Sequence, residues 1–179
     1  MFACALMVAA PAKASPIVVN GGFETGDYTG WTLSGNTGFI GVTSSAPYVH
    51  SGTFGSQMGA VGSDTDMSQT LATTPGALYN LTFWLYNDGG SPNDFSVRFG
   101  GVSYFSLVDA GGQPYTQVTL HNLLATGSST SLEFLVRQDP AYWGLDDVSI
   151  ADAVPEPTSI LLLGTGLLAA VRFARRRLS

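Results

Sequence analysis

Turn-forming residues divide most of the chain into segments of strand length. Clusters of Gly, Pro, Asn, Asp and Ser recur at intervals of about 8–14 residues between residues 17 and 150, and no segment before residue 160 keeps a helical apolar spacing. About ten short strands punctuated in this way are typical of an antiparallel sandwich, so we predict an all-β body. We expect a first strand at residues 17–19. The strand at residues 78–86 (LYNLTFWLY) is apolar on both faces, which places it inside a sheet.

The body between residues 15 and 153 is acidic and contains no cysteine. Its basic side chains are Arg98 and Arg137, against twelve Asp and Glu, so it carries a formal charge of about −10. A surface of this charge repels phosphate backbones, which argues against nucleic acid as a partner. The single cysteine, Cys4, precedes the body, so cysteine catalysis, disulfides and thiolate metal sites are excluded there. About 139 residues suffice for one domain with a proper core.

The first fourteen residues have the pattern of a signal peptide. Residues 2–10 form a short apolar core, and Ala12-Lys13-Ala14 is a small-x-small cleavage site, so we expect the mature chain to begin at Ser15, after Ala14. A basic residue normally precedes the apolar core and is missing here. We therefore expect that this signal peptide is truncated at its N-terminus.

The last twenty-six residues, 154–179, have three parts. Pro155, Glu156 and Pro157 come first, an apolar run over 160–171 follows, and Arg172 and the arginines Arg175, Arg176 and Arg177 come last. The prolines prevent any strand from continuing through them. The run predicts a single short hydrophobic helix, below the ~20 residues that usually span a bilayer. Arginines remain on the cytoplasmic side, so the C-terminus is expected to face inward.

This order of segments resembles the PEP-CTERM sorting signal of Gram-negative bacteria. The resemblance implies an exported protein that is held transiently in the inner membrane and cut near Pro155-Glu156-Pro157 by an exosortase, a membrane protease. It also implies a final place at the cell surface or in the extracellular matrix, in strains that make extracellular polysaccharide. The alternative is an ordinary C-terminal anchor helix.

Both ends of the body resemble carbohydrate-binding modules of the 4/9 type, which have a galactose-binding-like jelly roll. The matching segments are residues 20–27 (NGGFETGD), Gly30-Trp31 and residues 143–150 (WGLDDVSI), with His50-Ser51-Gly52 as the middle turn. The resemblance implies an antiparallel jelly-roll β-sandwich, in which the first and last strands are neighbours. Between the motifs the similarity rests on the strand pattern alone.

The same resemblance implies a structural calcium ion held by Glu24 and Asp146, with backbone carbonyl groups near Ser51 and Gly52. Calcium takes six to eight oxygen ligands and tolerates irregular geometry, which suits such a set. Strand alternation predicts that Asp146 faces the interior together with Val148, while Asp147 faces solvent. The alternative is that both carboxylates accept backbone N–H groups in turns.

Sugar binding requires aromatic platforms beside hydrogen-bonding groups, because sugars have apolar faces and polar rims. The main candidates for contact with a sugar are Trp31, Tyr86, Asn87 and Tyr115. Further candidates are Tyr48, Tyr104, Tyr142, Asp88, Gln113 and Arg98. The alternative is core or turn packing, which we expect above all for the three tryptophans Trp31, Trp84 and Trp143.

Catalytic motifs are missing from the sequence. Its two histidines, His50 and His121, lack partners at metal-binding spacing, and no G-x-S-x-G elbow occurs. We therefore predict a non-enzymatic, exported protein that binds or accompanies extracellular polysaccharide. The alternatives are a secreted glycan-active hydrolase, for which a carboxylate pair would be needed, and a structural surface protein without a ligand.

Overall fold

The computed structural model describes residues 18–139 and 141–153 and contains ten β-strands. In chain order these are β1 (Thr32–Gly35), β2 (Ile40–Thr43), β3 (Gly55–Met58), β4 (Thr65–Ala72), β5 (Leu78–Asn87), β6 (Asn93–Phe99), β7 (Val102–Val108), β8 (Gln113–Leu124), β9 (Ser129–Gln138) and β10 (Trp143–Asp152). The predicted signal peptide with its Ala14–Ser15 cleavage site, the Pro-Glu-Pro triplet, the apolar run and the C-terminal arginines lie outside the described residues. None of the described residues forms a helix capable of spanning a bilayer.

The strands form two antiparallel sheets of five strands each. The first sheet has the order β1-β4-β9-β6-β7, and the second has the order β2-β3-β10-β5-β8. The chain passes repeatedly from one sheet to the other, so each sheet mixes early and late strands. This arrangement confirms the predicted all-β antiparallel sandwich. Strand β5 lies between β10 and β8, in agreement with the interior position predicted from its apolar faces.

Alternating side chains build the core between the sheets. Phe95, Val97 and Phe99 on β6 are fully buried, and so are Phe83 on β5 and Phe134 on β9. The Phe83 and Phe134 rings come from opposite sheets and meet edge to face, with centroids 5.5 Å apart. Since successive strand residues point to opposite faces, burial of one set leaves the other set free to form the outer faces.

Residues 18–31 form turns, so the strand predicted at residues 17–19 is wrong for Val18 and Val19. Asn20 and Phe23 adopt left-handed backbone conformations, with φ of 53° and 56°, which cannot extend a strand ladder. The Gly21 carbonyl accepts the Val148 N–H at 2.9 Å. A Cβ at Gly21 would collide with the Val148 carbonyl oxygen, so only glycine permits this approach. The segment is therefore a loop fastened to β10.

An irregularity in β10 changes which way its acidic side chains point. The pairing of β10 with β5 shifts between Asp146 and Ser149, and Asp147 has φ 50°, as expected of a bulge. Leu145 and Val148 both enter the core, although residues three apart in a regular strand point to opposite faces. The alternation is therefore broken between them. The prediction that Asp146 shares the inward face of Val148 is therefore wrong. Asp146 is paired with Trp84 and shares the outer face of the second sheet with it.

Candidate functional site

The outer face of the second sheet carries a group of polar aromatic side chains. On β5, Phe83 and Leu85 point into the core, so Trp84 and Tyr86 point outward. Their partners on β10 are Asp146 and Gly144, respectively. Residues opposite each other in a ladder share a face, which brings an acid and an aromatic platform together in the middle of the sheet.

Four tyrosines gather at one end of this face, and we call Tyr48, Tyr86, Tyr115 and Tyr142 the tyrosine cluster. Tyr48 meets Tyr86 and Tyr142 edge to face, with ring centroids 5.8 Å and 5.7 Å away. Tyr86 and Tyr115 lie 5.6 Å apart. All four side chains are half-buried. They come from a loop before β3, from β5, from β8 and from the loop before β10, so the sheet itself assembles the cluster.

Two glycines make room for these rings. A Cβ at Gly144 would lie 2.7 Å from the Tyr115 hydroxyl oxygen and 3.1 Å from the Tyr86 Cβ. At Gly59 a Cβ would lie 2.5 Å from two carbon atoms of the Tyr142 ring. Real Cβ atoms do not approach other heavy atoms so closely without displacing them. Gly144 and Gly59 therefore allow the Tyr115 and Tyr142 side chains to lie close against the backbone.

A carboxylate joins the tyrosine cluster. The hydroxyl groups of Tyr48 and Tyr86 donate to Oδ2 and Oδ1 of Asp88, each at 2.7 Å. The bond to Asp88 raises the pKa of Tyr86, and burial, followed by Asp88, raises the pKa of Tyr48. Both phenols therefore stay protonated and remain donors. The Asp88 N–H donates to the Tyr142 carbonyl at 3.0 Å, which ties the carboxylate to a third member of the cluster.

A second polar group lies next to the cluster. The imidazole of His50 stacks on Trp84, with centroids 3.8 Å apart and planes 16° from parallel. Its Nδ1 lies 2.7 Å from Asp147 Oδ2, and the Ser51 hydroxyl donates to Asp147 Oδ1 at 2.9 Å. Ser51 and His50 thus bind the same carboxylate from its two sides. This arrangement does not join serine to histidine as a nucleophile to its base.

The two acids predicted to hold calcium are bound by backbone N–H groups. Asp146 is fully buried, and its Oδ2 accepts the N–H groups of His50 at 2.8 Å and Ser51 at 3.2 Å. Glu24 accepts the N–H groups of Thr53 and Phe54 at 3.0 and 3.1 Å. Burial raises the pKa of Asp146 to about 6, although these N–H bonds oppose the rise.

The geometry around Glu24 and Asp146 favours the alternative stated above, in which both are acceptors in a turn. Donor N–H groups, rather than carbonyl oxygens, point at the carboxylate oxygens that calcium would use. Across the described parts of the chain, no three His, Cys, Asp or Glu side chains converge closely enough to bind a metal ion. The calcium ion stays a prediction, with Gly52 close to the Glu24 carboxylate as expected for the middle turn.

The other predicted ligand residues lie in different surroundings. Trp31 is 8% exposed and packs in the core against Phe23 and Phe134, so its ring is no surface platform. Asn87 is 1% exposed, and its amide donates to the carbonyls of Ala110 and Gly111, bracing a loop. Both predictions of direct ligand contact are therefore wrong, because these side chains are enclosed.

Two further candidates belong elsewhere in the sandwich, and one aromatic residue was missed. Tyr104 lies on β7 of the first sheet and accepts the Leu124 N–H, and Arg98 lies on β6 of the same sheet. Trp84 was expected to pack in the core, but it lies on the outer face beneath His50. Tyr86 and Tyr115 are brought together as candidates, and Tyr48, Tyr142 and Asp88 complete the set.

Comparison with known proteins identifies the tail and the fold. The family model described as the PEP-CTERM protein-sorting motif matches residues 153–177, which confirms the sorting signal predicted from that segment. The motif marks the chain as an exported protein that is sorted at a membrane. A search of curated proteins finds no match.

Several solved structures share the fold of the body. One is TmCBM61 in complex with β-1,4-galactotriose, with TM-score 0.63 and 21% identity over 77% of this chain and 99% of that chain. Another is the CBM22-1 xylan-binding domain from Paenibacillus barcinonensis Xyn10C, with TM-score 0.54 and 22% identity over 81% of this chain and 99% of that one. A CBM4 structure matches with TM-score 0.52 and 15% identity, over 75% and 99% respectively. The body therefore has the β-sandwich fold of carbohydrate-binding modules, as the resemblance implied.

Proposed function

We propose that the body binds a polysaccharide through the tyrosine cluster and has no catalytic activity of its own. The observation that carries this proposal is the gathering of four half-buried tyrosine rings around one exposed carboxylate, Asp88, on a single sheet face. Carbohydrate-binding modules with the same fold support the proposal, because two of them are described with a galactotriose or as xylan-binding.

Sugar recognition follows from the chemistry of these groups. The rings provide apolar surface for the C–H faces of a pyranose, and their packing against one another holds them rigid at little cost in entropy. Asp88 supplies acceptor oxygens for hydroxyl groups at the sugar rim. His50, stacked on Trp84 beside Tyr115, extends the surface along the sheet with a further polar edge. The face thus offers room for more than one sugar unit.

The sorting motif supplies the second half of the proposal. An exosortase would cut the exported chain near Pro155-Glu156-Pro157 after the apolar run and the arginines had held it in the inner membrane. The body would then be released to, or attached at, the cell surface of a Gram-negative bacterium. Polysaccharide outside the cell is the natural ligand for a sugar-binding domain delivered to that place.

The test is binding of the full chain, in a detergent without sugar groups, to an array of polysaccharides. We expect retention on at least one polysaccharide, and we expect Tyr86→Ala to weaken it at least tenfold. Tyr104→Ala is the matched control, because Tyr104 is also a half-buried tyrosine but lies in the first sheet. Equal losses in both variants would show that the tyrosine cluster has no special part in binding.

The same samples separate the alternatives. Release of reducing sugar that stops on replacing one carboxylate by its amide would establish a hydrolase instead of a binding domain. Absence of both binding and turnover would leave a structural surface protein. Finding the body in the extracellular fraction without its arginines would support the sorting half, and an intact chain retained in the cytoplasm would contradict it.

A further inference from the structure

The charge at the tyrosine cluster selects among polysaccharides. We infer that the cluster and Asp88 prefer sugars that carry a free ammonium group, that is, polymers of N-deacetylated amino sugars, over their N-acetylated or anionic counterparts. This inference rests on the proposed function and names the ligand class of the same site.

Asp88 has spare acceptor capacity at an exposed position. Its side chain is exposed, and each of its two oxygens accepts one tyrosine hydroxyl. A carboxylate oxygen has two lone pairs, so each oxygen can accept a second hydrogen bond from a ligand. An ammonium group has three donors and no acceptor, and it matches this half-satisfied carboxylate better than a neutral hydroxyl does.

The rings around the carboxylate favour the same ligand. Tyr48 meets both Tyr86 and Tyr142 edge to face, so the face of its ring points in a different direction from the faces of the other two. The face of an aromatic ring carries the negative end of its quadrupole and attracts cations within about 6 Å of its centroid. Aromatic cages that recognise quaternary ammonium ligands use this attraction.

Positive charge from the protein does not compensate this site. The only Lys or Arg side chains between residues 15 and 153 are Arg98 and Arg137, on β6 and β9 of the first sheet. Arg137 is engaged by Asp139, with Nη2 and Oδ2 2.7 Å apart. Asp147 is a second acid on the same face, and its carboxylate is already engaged by His50 and Ser51, so Asp88 carries the negative charge that a ligand meets. Uronic acid or sulfated polymers would be repelled, and a cationic polymer would be attracted.

The experiment compares two oligosaccharides that differ in this one group. Calorimetric titration of the full chain, in non-glycosidic detergent at pH 6 and low salt, uses glucosamine hexamer and N-acetylglucosamine hexamer as ligands. An exposed ion pair and a cation–π contact together predict about a tenfold preference for the glucosamine hexamer. Raising the salt concentration should shrink the preference, because exposed charges are screened.

Two charge-matched variants locate the effect. Asp88→Asn keeps the shape of the side chain and should abolish the preference, so that the two hexamers bind this variant with equal affinity. Asp152→Asn removes the same charge from an exposed position at the far end of β10 and should keep the preference. Equal loss in both variants would assign the preference to overall charge and overturn the inference.

The remaining outcomes separate the inference from the function on which it rests. If the N-acetylated hexamer or a neutral glucan binds as well as the glucosamine hexamer, the inference is wrong and polysaccharide binding stands. If the wild-type chain binds neither hexamer and no polysaccharide of the array, both are wrong. The melting temperature of each variant shows whether it is folded in the titration.

Discussion

The buried carboxyl group of Asp146 should make the stability of the body fall as the pH rises above the ordinary pKa of aspartate. Its side chain is fully buried beneath the turn at His50 and Ser51, and burial raises its pKa from 3.8 to about 6. A raised pKa means that the folded state binds the proton more tightly than the unfolded state. The resulting stabilisation is complete below pH 3.8 and is lost as pH rises through 6.

The size of the effect follows from the shift. One pKa unit corresponds to about 1.4 kcal/mol, so the change from 3.8 to about 6 amounts to roughly 3 kcal/mol of the free energy of unfolding. In a domain of this size each kcal/mol moves the melting temperature by roughly 3–4 °C. The contribution of Asp146 should therefore change the melting temperature by about 10 °C between pH 3.5 and pH 7.5.

Other acids titrate as well, so the measurement is a difference between two proteins. Hydrogen bonds hold the pKa of Asp27, Asp109 and Asp139 below the usual range, and their stabilisation is lost only as the pH falls below about 4. Burial raises the pKa of Asp66 and Asp94, which adds to the trend of Asp146. Urea unfolding of the wild type and of Asp146→Asn at several pH values cancels all of these contributions.

The difference in stability between the two proteins should depend on pH in one range only. The stability of the wild type relative to Asp146→Asn should decline between pH 4 and pH 7 and then level off. The amide pairs imperfectly with the His50 and Ser51 N–H groups, but this cost is the same at every pH and only offsets the curve. A difference that stays constant from pH 4 to pH 7.5 would show that burial does not disfavour the charged form of Asp146.

Three other predictions concern calcium, the site and the tail. If Glu24 and Asp146 hold calcium, chelator should lower the melting temperature of the wild type by several degrees and that of Asp146→Asn by less. If chelator does not move the melting curve of the wild type, Glu24 and Asp146 only accept hydrogen bonds from backbone N–H groups of the turn. Gly144→Ala should displace the Tyr115 ring and weaken polysaccharide binding severalfold in titration, whereas unchanged affinity would place the ligand away from Tyr115. Neutral replacement of the arginines at 175–177 should reduce the membrane-bound fraction of the chain on cell fractionation, and wild-type retention would show that no positive stop is needed.

The sandwich could be predicted because several of its strands alternate clearly between buried and exposed side chains. Met67, Gln69 and Leu71 on β4 are all buried, as the pattern of that segment indicates. The orientation of Asp146 could not be predicted in the same way, since the bulge at Asp147 inserts a residue that a period of two does not reveal. Local sequence does not show where a ladder shifts its register.

Only part of the candidate site could be predicted from the sequence. Tyr86 and Tyr115 could be named as aromatic candidates on strands, but nothing local indicates that the loop residues Tyr48 and Tyr142 would pack against each other. Trp31 and Tyr142 both lie beside turns, and tertiary packing alone buries the first and leaves the second half-open. One signal in the sequence did point to the cluster. A glycine inside a strand, such as Gly144, often marks a place where another group approaches the backbone closely, and here that group is the Tyr115 side chain.

The last strand of the sandwich determines how the body would bear tension. β10 lies between β3 and β5, and the sorting motif begins at residue 153, directly after the strand ends at Asp152. The tyrosine cluster lies near Gly144, roughly 26 Å back along a strand that rises about 3.3 Å per residue. A chain tethered at its C-terminal end while the cluster grips a polymer would be pulled along the axis of β10. Such a pull loads in shear the ladder that joins β10 to β5 as far as Asp152, and the short ladder to β3 at residues 143–145. The strand nearest the tether therefore transmits the load to the middle of the second sheet.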